Sequence, residues 1–269
     1  MQDFLEDPFS ASTNTAGLAV APYPWRLFAL LLAGSVVGVL ALLPYLSVVL
    51  APNLAAHSLP LPLPVIAIIQ AVVNFSIFVG LGLLLARKIG LGAPFLESWL
   101  YGPPSKIPAR VVLTASVVGL LVGVITLALI RSPIGAALTA LPIASEGAMP
   151  LWKRFLACFY GGLDEEILTR LFLLSLVLWL LRLLWWRESA QVAQFWIANF
   201  LVAVAFGAGH LPLAAQIAPL TLKMVAVVIS LNALCALPFG YLYWRRGLEA
   251  AMIAHFGADL ILHVIGPVF

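Results

Sequence analysis

An all-α, polytopic membrane helical bundle of about seven to eight transmembrane helices is the fold this sequence predicts, and three observations carry it. Of 269 residues, 63% are hydrophobic and 9% charged, with a mean hydropathy of +1.10, so there are too few charges to coat a soluble globule of this size. Apolar runs of spanning length recur along the chain, separated by segments rich in Pro, Gly and basic residues. No segment alternates polar and apolar residues as a barrel strand does, which leaves the helical bundle as the spanning class that satisfies its own backbone hydrogen bonds in lipid.

Taken in order, residues 1–24 carry Asp3, Glu6 and Asp7 ahead of a Ser/Thr/Asn/Ala stretch, unlike the basic start of a secretory signal, and read as a flexible N-terminal tail. Neither Gln2 nor the final Gly266-Pro267-Val268-Phe269 offers a lipidation signal, so helices alone are expected to hold the membrane. Residues 25–150 hold the N-terminal transmembrane helices: Leu27 to Leu50, interrupted at Pro44; Pro64 to Ala86, closed by Arg87-Lys88; and Val111 to Ile130. Pro94, Gly102-Pro103-Pro104 and Pro108 mark the connection before the third span as a loop. Leu151 to Trp186 is too long for one perpendicular span at about 1.5 Å per residue, and a break or bend is expected at Gly161-Gly162. Further spans are expected at Phe195 to Gly209, Ile217 to Tyr243 and Leu248 to Ile265.

Trp25, Trp99, Trp152, Trp185, Trp186, Trp196 and Trp244 fall near predicted span ends and read as interfacial anchors. Counting Lys and Arg on the two sides of the alternating spans places nine with a cytoplasmic N-terminus and four opposite, so the N-terminus is expected inside and, with seven spans, the C-terminus outside. Cys158 and Cys235 lie in apolar runs, where a buried thiol acts as a small hydrophobe and no disulfide framework is expected. The formal charge of +3 is scattered over loops without a basic block, which excludes nucleic acid as a partner.

The stretch Gly161-Gly162-Leu163-Asp164-Glu165-Glu166-Ile167-Leu168-Thr169-Arg170 sets three carboxylates and an arginine in an otherwise apolar run. A charge at the centre of a membrane helix costs roughly 2.5–3.5 kcal/mol on insertion scales, so groups kept there face a protein interior and mark a site. Glu166 and Arg170, four apart, share a helix face and form a charge-assisted pair. Glu165 is turned about 100° away and can point into a cavity, where a partly dry carboxylate becomes base enough to take a proton from water. Asp164 lies on another side and is given no role. Two later spans carry histidines, as Phe206-Gly207-Ala208-Gly209-His210 and His255-Phe256-Gly257-Ala258-Asp259. The plain alternatives are a proton or ion path through a transporter, as intramembrane carboxylates make, or a packed and inactive scaffold. A transporter is expected to show repeated halves with broken helices, and no such symmetry is present in this sequence.

Glu165-Glu166…Arg170, then Phe206…His210, then His255…Asp259, in that order on separate spans, resembles the signature of the type II CAAX prenyl endopeptidase family, also called the CPBP intramembrane proteases. Gly247 to His255 is similar to bacterial members, which implies an integral protein of a bacterial inner membrane. The resemblance covers residues 151–269, read as a CPBP-type catalytic helical bundle. It implies intramembrane proteolysis: hydrolysis of a peptide bond in a membrane-associated protein or peptide, with the lipid bilayer as its surroundings. By the same resemblance Glu165 and His210 polarise the water, His255 and Asp259 hold the oxyanion, and Glu166 and Arg170 fix the helix geometry, with Phe206 in support. No His-Glu-x-x-His is present, so no metal or other cofactor is expected, although Glu, His, His and Asp are all competent zinc ligands. Two departures stand out. Asp259 replaces a frequent Asn and, as an anion, cannot donate to an oxyanion; it must be protonated or act through His255. The chain also ends ten residues later, without the further terminal helix of many relatives, and His263 in that tail is expected to be interfacial, as is His57 in its polar loop.

Overall fold

The computed structural model describes residues 22–51, 59–103, 106–133, 135, 149–185, 187–216 and 218–266. Residues 1–21 of the tail, His57 and Trp186 lie outside the described residues. Those described are helical, with no strand among them, and seven helices are long and apolar enough to cross a membrane. In chain order these are α1 (Trp25–Val49), α2 (Leu63–Lys88), a short α3 (Pro94–Tyr101), α4 (Ala109–Arg131) and α5 (Leu151–Leu184). They continue with α6 (Gln191–Gly209), a short α7 (Leu211–Ala215), α8 (Leu222–Arg246) and α9 (Leu248–Ile265).

Pro44 does not interrupt α1, which runs through it; a proline is tolerated in a membrane helix when its surroundings satisfy the freed carbonyl. At Gly161-Gly162, where a break or bend is expected, the helix does not break but changes its winding. α5 opens as an α-helix to Phe159, then winds in wide i→i+5 turns over Tyr160–Glu165 and again over Ile167–Leu174, and closes as an α-helix. Backbone angles stay helical at the joints, with φ −69° and ψ −35° at Phe159 and φ −72° and ψ −36° at Glu166. The extra length is thus taken up by wide turns, the form of helix distortion that gathers at functional sites.

One core runs through both halves of the chain. Leu27 and Leu31 of α1, Phe75, Val79 and Leu83 of α2, and Ala115 of α4 join Leu171, Leu174 and Leu178 of α5, Phe195 of α6, Phe239 of α8 and Ala251 and Ala254 of α9. Since lipid tails are as apolar as these side chains, close packing through small residues has to hold the helices together. α4 and α9 show it: a Cβ on Gly119 would overlap the carbonyl of Ala254, and one on Gly123 would lie 2.7 Å from Ile261 Cβ and 2.9 Å from Ala258 O. Gly119 and Gly123 are four residues apart, a small-xxx-small stripe that lets α9 lie against α4.

The connection read as a loop contains α3. Pro94 stands in its first turn, where a missing N–H costs nothing, and two of its unpaired N-terminal donors, Phe95 N and Leu96 N, donate to Glu249 Oε1 at 3.0 and 2.8 Å. At its other end Tyr101 Oη accepts from Arg26 N and Leu27 N at 2.9 and 3.1 Å, closing the N-terminus of α1. Gly247, at φ +91°, makes the turn from α8 into α9, and Leu248 N donates to Gly92 O at 3.0 Å. Trp244 departs from its expected interfacial place: it is buried and stacks on Phe195 with ring centroids 4.1 Å apart. Trp25, Trp99, Trp152, Trp185 and Trp196 are exposed.

Candidate active site

Glu165 and Glu166 sit at the junction of the two wide-turn segments of α5, Glu165 ending the first and Glu166 joining it to the second. Their side chains part company there. Glu166 is fully buried, while Glu165 keeps about 20% of its side chain accessible. Glu166 faces two cations or potential cations at once: Oε2 lies 3.2 Å from Arg170 Nε, and Oε1 lies 2.7 Å from His255 Nδ1. The Arg170 contact is an ion pair without the alignment of a hydrogen bond. Arg170 is 1% exposed; its Nη2 donates to Ala236 O at 3.1 Å and its guanidinium lies 5.8 and 5.9 Å from the rings of Phe206 and Phe239. A buried charge of this kind holds only when so surrounded.

His255 is fixed from three sides. Its Nδ1 donates to Glu166, its ring stacks on Phe239 at 4.9 Å and 24°, and Phe206 presents an edge at 5.9 Å. With Nδ1 committed, Nε2 is the atom turned to the remaining carboxylates, 3.5 Å from Glu165 Oε2 and 3.7 Å from Asp259 Oδ1. His210, at the end of α6, pairs Nδ1 with Phe206 O at 2.9 Å; a carbonyl only accepts, so Nδ1 carries the proton and Nε2 is left 3.9 Å from Glu165 Oε1. Phe206 meets the His210 ring edge-on at 4.7 Å. The two oxygens of Glu165 therefore face the Nε2 atoms of two histidines from different helices.

Glu165, His210, His255 and Asp259 line one cavity of about 280 Å³, whose remaining wall is mostly apolar and includes Leu42, Leu46 and Val49 of α1 and Leu231 of α8. The four candidate groups and their three supports, Glu166, Arg170 and Phe206, are brought together from α5, α6 and α9. Among the described residues no group of three or more His, Cys, Asp or Glu side chains is arranged to hold a metal ion. Both Nδ1 atoms are already engaged, and the Nε2 atoms meet different oxygens of one carboxylate.

Several residues at this cavity were given no part in the site by the sequence. Gly161 is one: a Cβ there would overlap Asp259 Oδ2 and stand 3.1 Å from His255 Nε2, so only glycine lets α5 approach the two groups. Tyr160, Asn232 and Cys235 also line the wall, Cys235 with its Sγ 3.1 Å from Thr126 Oγ1. His263, expected at the interface, lines the cavity as well, its ring 6.1 Å from Tyr45. The wide turns over Leu260–Ile265 carry it there, and no spacing rule for an α-helix anticipates that. Asp164 is buried against α1, where a Cβ on Gly38 would overlap its carboxylate, and neither of its oxygens has a hydrogen-bond partner.

No curated protein and no solved structure matches the chain. Residues 147–261 match the family model of the type II CAAX prenyl endopeptidases, Rce1-like, a stretch that contains Glu165, Glu166, Arg170, Phe206, His210, His255 and Asp259. The part of the chain over residues 147–261 is thus similar to the Rce1-like type II CAAX prenyl endopeptidases, in an integral membrane protein with seven candidate spans among the described residues.

Proposed function

We propose that the protein is an intramembrane endopeptidase that hydrolyses a peptide bond with a water activated by Glu165 and His210, in a cavity formed by the catalytic helices of 151–269 and closed by those of 25–150. One observation carries the reading: Glu165 Oε1 and Oε2 lie 3.9 and 3.5 Å from the Nε2 atoms of His210 and His255, at a cavity that also holds Asp259. A water between Glu165 and His210 gives its proton to Glu165, and the resulting hydroxide attacks the carbonyl carbon. The oxygen that becomes an anion is held by the Nε2–H of a His255 imidazolium, whose Nδ1–H stays on Glu166, with Asp259 beside it. Collapse breaks the C–N bond, and Glu165 returns its proton to the leaving amine, so one water is consumed for one acid and one amine formed. Glu166 and Arg170 take no part in bond making; they hold the ring of His255 and the turn of α5.

The apolar wall from α1 and α8 supports a membrane-associated protein or peptide as substrate, with apolar side chains beside the cleaved bond. A bacterial cell membrane is the proposed location. The test is hydrolysis of a quenched-fluorophore peptide library by the purified full chain in detergent. Glu165→Gln is expected to lower turnover by about 10²–10⁴-fold, the share that general base catalysis supplies, while the protein stays folded. Activity that survives Glu165→Gln sinks the proposal. Activity is also expected to survive dialysis against a strong chelator; stoichiometric zinc, with activity restored only by zinc, would overturn the metal-free mechanism.

A further inference from the structure

Asp259 poses a problem that the residues so far described do not solve. His255 Nε2 lies 3.7 Å from Asp259 Oδ1 and 3.5 Å from Glu165 Oε2, so two carboxylates compete for the one N–H that an oxyanion would need. His263 lines the cavity that holds Asp259 and His255. It follows Asp259 by four positions, under one wide turn of the Leu260–Ile265 segment, so that both residues line the same cavity. Its place is held from α1, α4 and α5: Arg154 Nη1 donates to His263 O at 3.2 Å, Arg131 Nη2 donates to Gly266 O, and the imidazole meets Tyr45 of α1 edge-on at 75°.

We propose that His263 is a positioning residue for Asp259, the second of two imidazoles that share this carboxylate across one face of α9. With His263 charged, the negative charge of Asp259 has a partner of its own, and His255 Nε2–H is left for the oxyanion. As pH rises and His263 loses its proton, Asp259 turns back on His255 and the donor is withdrawn. The titratable and charged groups around the two are Tyr45 from α1, Tyr160 and Glu165 from α5, His210 from α6, Cys235 from α8 and His255 from α9 itself, all on the cavity wall, with Arg131 from α4 and Arg154 from α5 on the backbone carbonyls of Gly266 and His263. His263 lies beyond residues 147–261, the stretch matched by the family. The inference rests on the peptidase reading for its kinetic consequence but not for the pairing itself.

The experiment compares wild type with His263→Phe, His263→Lys, Asp259→Asn and the double variant Asp259→Asn/His263→Phe, each as the full chain in detergent. Turnover of the quenched peptide library and thermal unfolding are both followed between about pH 5 and 8, the range in which histidine titrates. His263→Phe keeps the ring against Tyr45 and is expected to lower turnover by about tenfold near neutral pH, less than the 10²–10³ expected for loss of a direct oxyanion donor, with its alkaline limb flattened. His263→Lys, which stays charged, is expected to retain activity and carry the limb to higher pH. In the Asp259→Asn background His263→Phe is expected to change neither the rate nor the profile. Thermal unfolding reads the same coupling without any substrate. The stabilisation lost in His263→Phe is expected to be largest at low pH, where the imidazole is charged, and to vanish in Asp259→Asn.

A His263→Phe profile identical to wild type, or an effect of equal size with and without Asp259→Asn, overturns the inference. Should His263→Phe fail to fold, His263→Gln carries the same comparison. If no variant hydrolyses the library but the stability coupling is present, the peptidase reading falls and the pairing stands. Glu165-dependent hydrolysis without the coupling has the opposite meaning.

Discussion

Glu166 does the work of two residues, since one fully buried carboxylate meets Arg170 Nε at 3.2 Å and His255 Nδ1 at 2.7 Å. Removing its charge leaves Arg170 buried without its counterion, and breaking such a pair costs about 3–5 kcal/mol. Glu166→Gln and Arg170→Ala are therefore expected to unfold at markedly lower temperature or denaturant than wild type, and to lose activity with the fold, whereas Glu165→Gln keeps its stability. Equal stability in all three variants would dissolve this division of roles. That division was partly legible in the sequence, because neighbouring residues on a helix point about 100° apart and Arg170 lies four residues from Glu166. The bond from Glu166 to His255 was not legible: the two are separated by 89 positions, and nothing in the spacing of either motif says that they touch.

At the scale of the element, the wide turns of α5 decide where the site lies. They carry Glu165 and Glu166 at their junction, and they bring Gly161 so close to α9 that a Cβ would overlap Asp259 Oδ2. Gly161→Ala is expected to cost about 1–3 kcal/mol through overpacking and to lower turnover by about 10²–10³-fold, as loss of an oxyanion donor does. Steady-state kinetics at matched folded concentration checks it, and an alanine variant of wild-type activity would remove Gly161 from the site. Gly162→Ala, which would meet Phe256 Cβ at 3.1 Å and no site group, is expected to be milder. The glycine pair was expected to break or bend the helix, and the helix instead runs on through it in wide turns. Composition marks a place where a helix has lost side chains; whether the helix breaks or another helix moves in depends on what packs against it.

Across the whole molecule, α3 straps two distant helix starts together. Glu249, buried at the beginning of α9, accepts from Phe95 N and Leu96 N, and Tyr101 at the far end of α3 accepts from Arg26 N and Leu27 N of α1. α1 walls the cavity and α9 carries His255 and Asp259, so the strap holds the wall and the chemistry in one register. Glu249→Ala leaves two part-buried donors unpaired and is expected to cost about 1–3 kcal/mol, with turnover falling in parallel. Tyr101→Phe, at a more exposed contact, is expected to cost less, about 0.5–1.5 kcal/mol. Thermal unfolding of the two variants beside wild type checks the order, and a neutral Glu249→Ala would show that α3 has no part in holding α9.

What the sequence by itself determined was each segment's preference for lipid and the inventory of polar groups it carries. The helical class and the seven spans among the described residues were readable because transfer into a bilayer is nearly a sum over the residues of one segment, and the three motifs could be read in order along the chain. Only the tertiary structure decided the continuity of α5 through wide turns, the presence of α3, the burial of Trp244 and the arrival of His263 at the cavity. Each of these depends on how closely one helix approaches another, which is set at a few small residues such as Gly119, Gly123 and Gly161 by partners more than 90 positions away. In lipid no hydrophobic drive separates one apolar face from the next, so contact geometry rather than composition chooses which faces meet.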